Sequence, residues 1–196
     1  MFRFDVPAAV LGFVGVHVAL RAEAAGVVAA VEAGDELAAH RRARLLGRVL
    51  RNHHETEDRL LWPALVERCP DIADVTAGLE ADHVALDEAL RALPRDLSTA
   101  ADVRGLVEAH LLAEEQQAMP VWISSFTAEE HERFAGALRR STPLREAGLM
   151  IAWLLDATPP EASSLAWGQV PRPLRMAHKV WFGPRYERRW GQALAA

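Results

Sequence analysis

Two segments of the chain carry a histidine, a glutamate four residues later and a proline six residues after the glutamate. These residues are His53, Glu57 and Pro63 in one segment, and His110, Glu114 and Pro120 in the other. Two more segments contain the letters HVAL, beginning at His17 and at His83. Imidazole and carboxylate groups without thiolates are ligands that iron and manganese accept. The pattern therefore predicts a metal site built from two related halves of the chain.

The spacing within each pair determines where the ligands point. Residues four apart in an α-helix lie on one face, about 6 Å apart along the axis. Each histidine and its glutamate would therefore project together into the interior. Two buried carboxylates that face each other repel, unless a cation lies between them. Two metal ions would relieve this repulsion if each took two imidazole nitrogens and shared both carboxylates.

The candidate ligands indicate the class of metal site. They are His17, His53, Glu57, His83, His110 and Glu114. Six nitrogen and oxygen ligands suit a pair of iron or manganese ions with an oxo, hydroxo or water bridge, whereas a closed zinc site would need only four ligands. One position on each ion would stay open. In the alternative without metal, each histidine would be an ordinary core or surface residue, and the repetition in four segments argues against this.

The residues next to His53 leave a second register open, because His54 and Asp58 have the same spacing as His53 and Glu57. The apolar stripe favours His53, since it aligns with Leu46, Val49 and Leu60. We therefore expect His54, Glu55 and Asp58 to face solvent or to surround the ligands. Three histidines outside the repeat are assigned to surfaces or to groups around the site: His40, His131 and His178.

Four helices are needed to carry the ligands. They are predicted from Pro7 to about Glu32 with Gly34 as the stop, from the N-cap Asp35 to a close at Pro63 and then Cys69–Asp71, from Asp71 or Asp74 to Pro94, and from Ser98 or Thr99 to Pro120, which ends or kinks the last. Thr127 and Thr142 begin two further helices, and prolines cut the tryptophan-rich remainder into short pieces. We expect an all-α protein, with a helical bundle in residues 1–126 and a C-terminal helical extension packed on it in residues 127–196.

Composition narrows the class of protein. The 196 residues are 51% hydrophobic and 25% charged, with a net charge of -5. This balance argues against nucleic-acid binding. The single cysteine, Cys69, allows no internal disulfide and favours the cytoplasm. The apolar run from Val6 to Leu20 is too short and too polar to span a membrane, and Asp5 does not suit a signal peptide. A protein partner or a homo-oligomer stays open.

Four stretches together resemble the hemerythrin-like HHE cation-binding domain family. They read HVALR, HHETEDRLLWP, DHVAL and HLLAEEQQAMP, and the resemblance covers about residues 7–126. It implies an up-down-up-down four-helix bundle with a non-heme di-iron centre, bridged by an oxo or hydroxo group, and makes manganese the less favoured metal. Carried over position by position, the family's ligands fall on the six residues named above. The residues from about Thr127 onward lie outside the resemblance.

The sequence departs from the oxygen-carrying hemerythrins, which it resembles, at two positions. Those proteins have a second histidine one turn after that of helix three, where this chain has Asp87, and an aspartate where it has Glu114. Simple reversible oxygen carriage is therefore not favoured. Asp87 follows His83 by four residues as Arg21 follows His17. We expect Arg21 and Asp87 to form an ion pair across a pseudo-twofold axis, with Asp87 as a metal ligand being the alternative.

Three functions are compatible with this pattern. The leading hypothesis is a di-iron protein that reacts with or binds dioxygen or hydrogen peroxide, with nitric oxide as a further ligand; acid-base groups are not evident near the site. The second is an iron- or oxygen-responsive sensor that signals through its C-terminal extension, which carries Trp153, Trp167, Trp181 and Trp190. The third is a low-capacity iron-handling protein or a structural bundle.

Overall fold

The computed structural model describes residues 8–158, 167–168 and 170–190. Within these residues every regular element is helical and none is a strand, which confirms the all-α prediction. Three segments of the described chain contain a π-helical turn, a wider turn with hydrogen bonds between residues five apart.

The elements follow the chain in this order: α1 Ala8–Glu32, α2 Glu36–Thr56, a π turn Glu57–Leu61, α3 Trp62–Arg68, α4 Ala73–Ala92, α5 Ala100–Ala113, a π turn Glu114–Ala118, α6 Met119–Ser125, α7 Ala128–Ser141, α8 Leu144–Ala157, α9 Arg172–Ala177, a π turn His178–Phe182 and α10 Gly183–Arg189. Short 3-10 turns at Pro70–Ile72 and Leu97–Thr99 precede α4 and α5.

The turn between α1 and α2 forms as the sequence predicts. Gly34 has a φ of 71°, a left-handed conformation that glycine adopts without a steric penalty. The Asp35 side chain accepts a hydrogen bond from the Ala38 backbone N–H at 2.9 Å. This N-cap satisfies one of the free amides of the first turn.

Pro63 and Pro120 do not end their helices, which continue to Arg68 and Ser125. A proline inside an α-helix lacks the N–H for its bond and collides with the carbonyl four residues back. A π turn ends two residues before each proline and widens the backbone there. In the two turns, the Trp62 N–H bonds to the Glu57 carbonyl and the Met119 N–H bonds to the Glu114 carbonyl. Both π turns therefore begin at a candidate ligand.

The helices that carry the candidate ligands pack side by side. α1 packs against α2 and α5, and α4 packs against the same two helices. Along each of these helices, the candidate ligands lie between two apolar clusters. The first cluster includes Leu20, Leu46, Leu86 and Val107. The second includes Phe13, Trp62, Leu79 and Trp122.

Residues after Ser125 also contribute to the core. α7 and α8 pack against α1, and α10 packs against α8. Trp153, Tyr186 and Trp190 are buried in the same apolar cluster as Leu20. The tryptophan-rich end of the chain therefore completes the interior around α1, while Trp181 stays 54% exposed.

α1 is longer than the apolar run visible in the sequence. Its residues Val10–Glu32 have a mean hydropathy of 1.5, so by length and composition the helix could cross a membrane. A core helix of a soluble protein and a signal sequence pass the same test. Here α1 carries two buried polar residues, His17 and Glu23, and packs against several other helices.

Candidate metal centre

The six candidate ligands come from different elements and meet in the interior. His17 lies on α1, His53 on α2, His83 on α4 and His110 on α5, and the two glutamates begin the π turns. No more than 4% of any of these residues is exposed. The structure thus brings together all the residues that the sequence pattern selects.

Glu57 lies between two histidines. Its Oε1 is 3.3 Å from Nε2 of His53, and its Oε2 is 3.5 Å from Nε2 of His83. Burial raises the pKa of Glu57 well above its usual range, and the negative charge of Glu114 raises it further. The two carboxylates therefore stay ionised together only if positive charge lies beside them.

Glu114 is arranged in the same way, with Oε1 3.0 Å from Nε2 of His110 and Oε2 3.2 Å from Nε2 of His17. Each carboxylate thus faces one histidine from each half of the repeat. Two sets of four side chains result, and within each set the possible ligand atoms lie within 4.8 Å of one another. One set is His17, His53, Glu57 and Glu114, and the other is Glu57, His83, His110 and Glu114.

These side chains leave buried polar atoms without partners. The Nε2 atoms of all four histidines and all four carboxylate oxygens lack hydrogen bonds. Burial without a hydrogen bond costs about 1–3 kcal/mol for a polar group and more for a charged one. Cations that accept nitrogen and carboxylate oxygen would satisfy all eight atoms. The donor set therefore fits two metal ions that share the carboxylates.

Two further carboxylates hold the outer nitrogens of the histidines. Glu115 Oε1 lies 2.9 Å from Nδ1 of His17, and Asp58 Oδ1 lies 2.8 Å from Nδ1 of His83. A proton on Nδ1 leaves the lone pair of Nε2 facing the centre. Burial disfavours the charged form of His17, but the carboxylates of Glu114 and Glu115 outweigh this and raise its pKa.

The structure confirms that Asp58 borders the ligands, whereas Glu115 was not singled out from the sequence. Asp58 and Glu115 each directly follow a candidate ligand glutamate. The repeat therefore contains a pair of adjacent acids in each half, which is a signal that could have identified both residues.

The expected ion pair between Arg21 and Asp87 is wrong. Arg21 binds both oxygens of Glu115, with Nη1 at 2.7 Å and Nη2 at 3.0 Å. Asp87 instead lies 3.3 Å from the Arg51 Nε and 3.9 Å from Arg91. The reason is the packing of the helices: α1 contacts α5, and Glu115 lies in the π turn that follows α5, whereas α4 contacts α2, which carries Arg51. Asp87 is also absent from the sets of side chains that could hold a metal.

His54 was expected either to face solvent or to lie around the ligands. In the structure it does not face solvent. It is 3% exposed and stacks on His83, with ring centroids 3.9 Å apart and planes 7° from parallel. Burial lowers the pKa of His54, and the nearby His83 lowers it further. Both of its ring nitrogens lack hydrogen bonds. The buried pairs Leu45–Leu46 and Val49–Leu50 show that α2 is covered over a wide face, and this width explains why two adjacent histidines are both inside.

His131 is also buried rather than on the surface, with 1% of the residue exposed. Its Nε2 lies 3.2 Å from the Trp122 backbone carbonyl oxygen, to which it donates. Trp122 packs edge-on against Phe13, and the Phe13 ring lies 5.0 Å from the ring of His53. Aromatic side chains therefore close one side of the centre against water.

A small apolar cleft of about 40 Å³ lies on the Glu115 side of the centre. Its walls include Val14, Val18 and Met119, together with the paired side chains of Arg21 and Glu115. The cleft is therefore a small apolar recess beside the Arg21–Glu115 pair.

Comparisons with known proteins identify the family. A family profile described as the hemerythrin HHE cation binding domain matches residues 12–122, which is more than half of the chain. No curated protein and no solved structure matches the sequence. The matched range contains all six candidate ligands, together with Asp58 and Glu115, whose carboxylates contact the outer nitrogens of two of the histidines. The chain belongs to the hemerythrin HHE cation-binding domain family.

Proposed function

We propose that the protein holds two iron ions as a non-heme di-iron centre and that it reacts with or binds dioxygen or hydrogen peroxide. Nitric oxide is a further ligand of this chemistry. The observation that carries the proposal is the pair of buried glutamates. Each glutamate faces one histidine from the first half of the repeat and one from the second half. Two carboxylates in a dry interior need cations, and the surrounding nitrogens suit iron.

In this proposal Glu57 and Glu114 would be shared by the two ions. His17 and His53 would hold one ion, and His83 and His110 would hold the other. This division follows the two sets of side chains whose ligand atoms lie close together. Because no cysteine takes part, iron fits better than a structural zinc ion.

A reduced di-iron centre, when bound, supplies two electrons for the reduction of an oxidant. The protein's own residues decide what reaches it. Phe13 and Trp122 cover the histidines on one side and exclude water. The cleft beside Glu115 is lined mainly by apolar side chains, and Glu115 and Asp58 keep the Nδ1 protons of His17 and His83 in place.

We also infer an up-down-up-down topology for the four helical segments that carry the ligands. Along α1 the chain passes from the apolar cluster of Phe13 to that of Leu20. Along α2 it returns, from Leu46 to Trp62 in α3. The segments that contain His83 and His110 repeat the same alternation. Residues 127–196 would then be the extension packed on this bundle.

Anaerobic reconstitution with ferrous iron followed by hydrogen peroxide tests the proposed reactivity. We expect near-ultraviolet charge-transfer bands to appear and peroxide to be consumed. Glu108→Gln is a suitable control, because Glu108 is an exposed residue paired with Arg104. Reconstituted protein that shows neither spectral change nor loss of peroxide would contradict the proposed reactivity.

A sensor role is the second candidate, and one contact favours it. Glu23 lies on α1, six residues after His17, and accepts a hydrogen bond from the Trp153 Nε1 at 3.3 Å. This contact joins the helix of one candidate ligand to the C-terminal part of the chain. If oxidation of the iron is transmitted through it, protease sensitivity around exposed Trp181 will change on oxidation in the wild type and not in Trp153→Phe. Equal cleavage of oxidised and reduced wild-type protein would contradict the sensor role.

A further inference from the structure

His54 is a buried histidine for which the proposed ligand set has no use. Its ring lies 3.9 Å from the ring of His83 and 5.1 Å from the ring of His110, measured between centroids. Neither ring nitrogen has a hydrogen-bond partner, although only 3% of the residue is exposed. A buried polar group that makes no hydrogen bond costs about 1–3 kcal/mol. The fold gains nothing from such a residue unless its nitrogen binds something.

The repeat shows that packing does not require a histidine at this position. His53 corresponds to His110 in the two halves, so His54 corresponds to Leu111. Leu111 is fully buried in the apolar core. The second half of the repeat thus fills the matching place with a leucine. The first half places an imidazole there, beside the two histidines of the other half.

The position of His54 suits an ion held by His83 and His110. One nitrogen from each of these three rings can be chosen so that all lie within 4.8 Å of one another. Nitrogen ligands lie about 2.0–2.1 Å from a small divalent metal, so two of them on opposite sides are about 4 Å apart. A ring stacked on its neighbour must turn to share an ion with it. The Cβ–Cγ torsion of histidine is broad enough to permit this rotation.

We propose that His54 is a further metal ligand, which donates a ring nitrogen to the ion held by His83 and His110. This inference rests on the proposed di-metal centre and makes its two halves unequal. One ion receives three imidazoles and two shared carboxylates. The other receives two imidazoles and the same carboxylates, with Leu111 in the place that corresponds to His54.

The variant His54→Leu tests this by copying the residue that the chain itself uses at the matching position. The probe is cobalt(II), whose visible absorption reports the number and type of its ligands. Wild-type protein titrated with cobalt should bind two equivalents. In His54→Leu, one equivalent should bind as in the wild type and the other at least about tenfold more weakly, with an altered visible spectrum.

Thermal unfolding without metal separates a ligand from a residue that merely supports the fold. Removing an unpartnered polar group should leave the melting temperature of the metal-free chain unchanged or higher. The stabilisation by cobalt should fall. His131→Leu is the matched control: it loses a hydrogen bond to Trp122, so metal-free stability should drop while both cobalt equivalents bind normally.

The outcomes distinguish this inference from the proposed function. Two cobalt equivalents of wild-type affinity and unchanged spectrum in His54→Leu overturn the role of His54 and leave the di-metal centre intact. A drop in metal-free stability with an equal effect on both equivalents also overturns it. If His54→Leu does not fold, His54→Gln undergoes the same titration and is judged by the same criteria. Wild-type protein that binds no cobalt contradicts the proposed centre itself.

Discussion

At the scale of single residues, Glu57 and Glu114 differ in their effect on the metal-free fold. Burial raises the pKa of Glu57, and the charge of Glu114 raises it further. Burial also disfavours the ionised form of Glu114, but the contacts with His110, His17 and His83 outweigh this and hold the pKa of Glu114 well below its usual range. An ionised carboxylate that is buried without a positive partner destabilises the folded chain. Glu57 therefore opposes stability in the metal-free chain and supports it in the loaded one.

Glu57→Gln should consequently have opposite effects on the two forms. We expect the metal-free variant to be more stable than the wild type by about 1–3 kcal/mol, because the desolvation cost of the buried charge is removed. Its metal content should fall below two ions per chain, because the amide nitrogen is no ligand. Denaturant unfolding and metal analysis of the same preparations measure both effects. A variant that is less stable without metal and still binds two ions would contradict this account.

The carboxylates of Glu115 and Asp58, which position His17 and His83, differ in how firmly they are held in place. The Glu115 side chain is 9% exposed and accepts hydrogen bonds from Nη1 and Nη2 of Arg21, whereas the Asp58 side chain is 40% exposed. Water can replace an exposed hydrogen-bond acceptor more readily than a buried one. The outer nitrogen of His17 is therefore more firmly fixed than that of His83.

Glu115→Gln and Asp58→Asn form a matched pair that tests this difference. Loss of such a group typically lowers metal affinity by about 10- to 100-fold. We expect Glu115→Gln to be in the upper part of this range and Asp58→Asn in the lower part. Equilibrium competition with a chelator measures the affinity. Equal affinities in the two variants would show that the guanidinium does not strengthen the position of His17.

The residues around the site also show what a sequence can and cannot provide. The repeated spacing selected six side chains that do meet, because residues four apart must share a helical face. One of the two places expected for His54 was the solvent-exposed surface. That expectation arose because a single apolar stripe was taken as the whole buried face of α2. The Arg21–Asp87 pair failed because equivalent positions in a repeat are related by symmetry and need not be in contact.

At the scale of elements, the π turns position the glutamates. Each turn starts at a candidate ligand, Glu57 or Glu114. One residue, Trp62 or Met119, then separates the turn from the proline of the next helix. The spacing of histidine, glutamate and proline predicted the helices but not the wider turns, since one widened turn hardly alters the periodicity of apolar residues. The helix after Pro63 ends at Arg68, directly before the Cys69–Asp71 stretch that was expected to close it.

Pro63→Ala should allow the backbone to return to an α-helical turn. The restored N–H could then bond to the carbonyl four residues back, which would rotate Glu57 relative to His53. We expect weaker metal binding with no loss of helix content, as measured by cobalt titration and circular dichroism. Pro70→Ala, in the 3-10 turn before α4, is the control and should bind metal normally. Wild-type affinity in Pro63→Ala would mean that the π turn does not position the ligand.

At the scale of the whole molecule, Glu23 joins three helices. It lies on α1, accepts a hydrogen bond from Trp153 of α8 and is 3.3 Å from the Arg42 guanidinium of α2. The tryptophans of this region could be read from the sequence as packing groups, but their buried carboxylate partner could not. Glu23 shows no relation to the repeat, and only the fold brings it together with Trp153.

The pH dependence of folding should report on Glu23. Burial raises the pKa of Glu23 above its ordinary value of 4.5, although Arg42 and Trp153 oppose the change. The folded chain then binds this proton more tightly than the unfolded chain, so this contribution to stability is complete below pH 4.5 and is lost as the pH rises through the raised pKa. Denaturant unfolding of metal-free Glu23→Gln should lack this loss. Parallel pH profiles for variant and wild type would contradict the raised pKa.

The metal content of protein purified without added iron, and again after anaerobic reconstitution with ferrous iron, tests the central claim most directly. Elemental analysis should give about two iron ions per chain after reconstitution. Glu57→Gln and Glu114→Gln should each hold fewer. One zinc ion per chain that iron does not displace, or no bound metal after reconstitution, would contradict the di-iron centre.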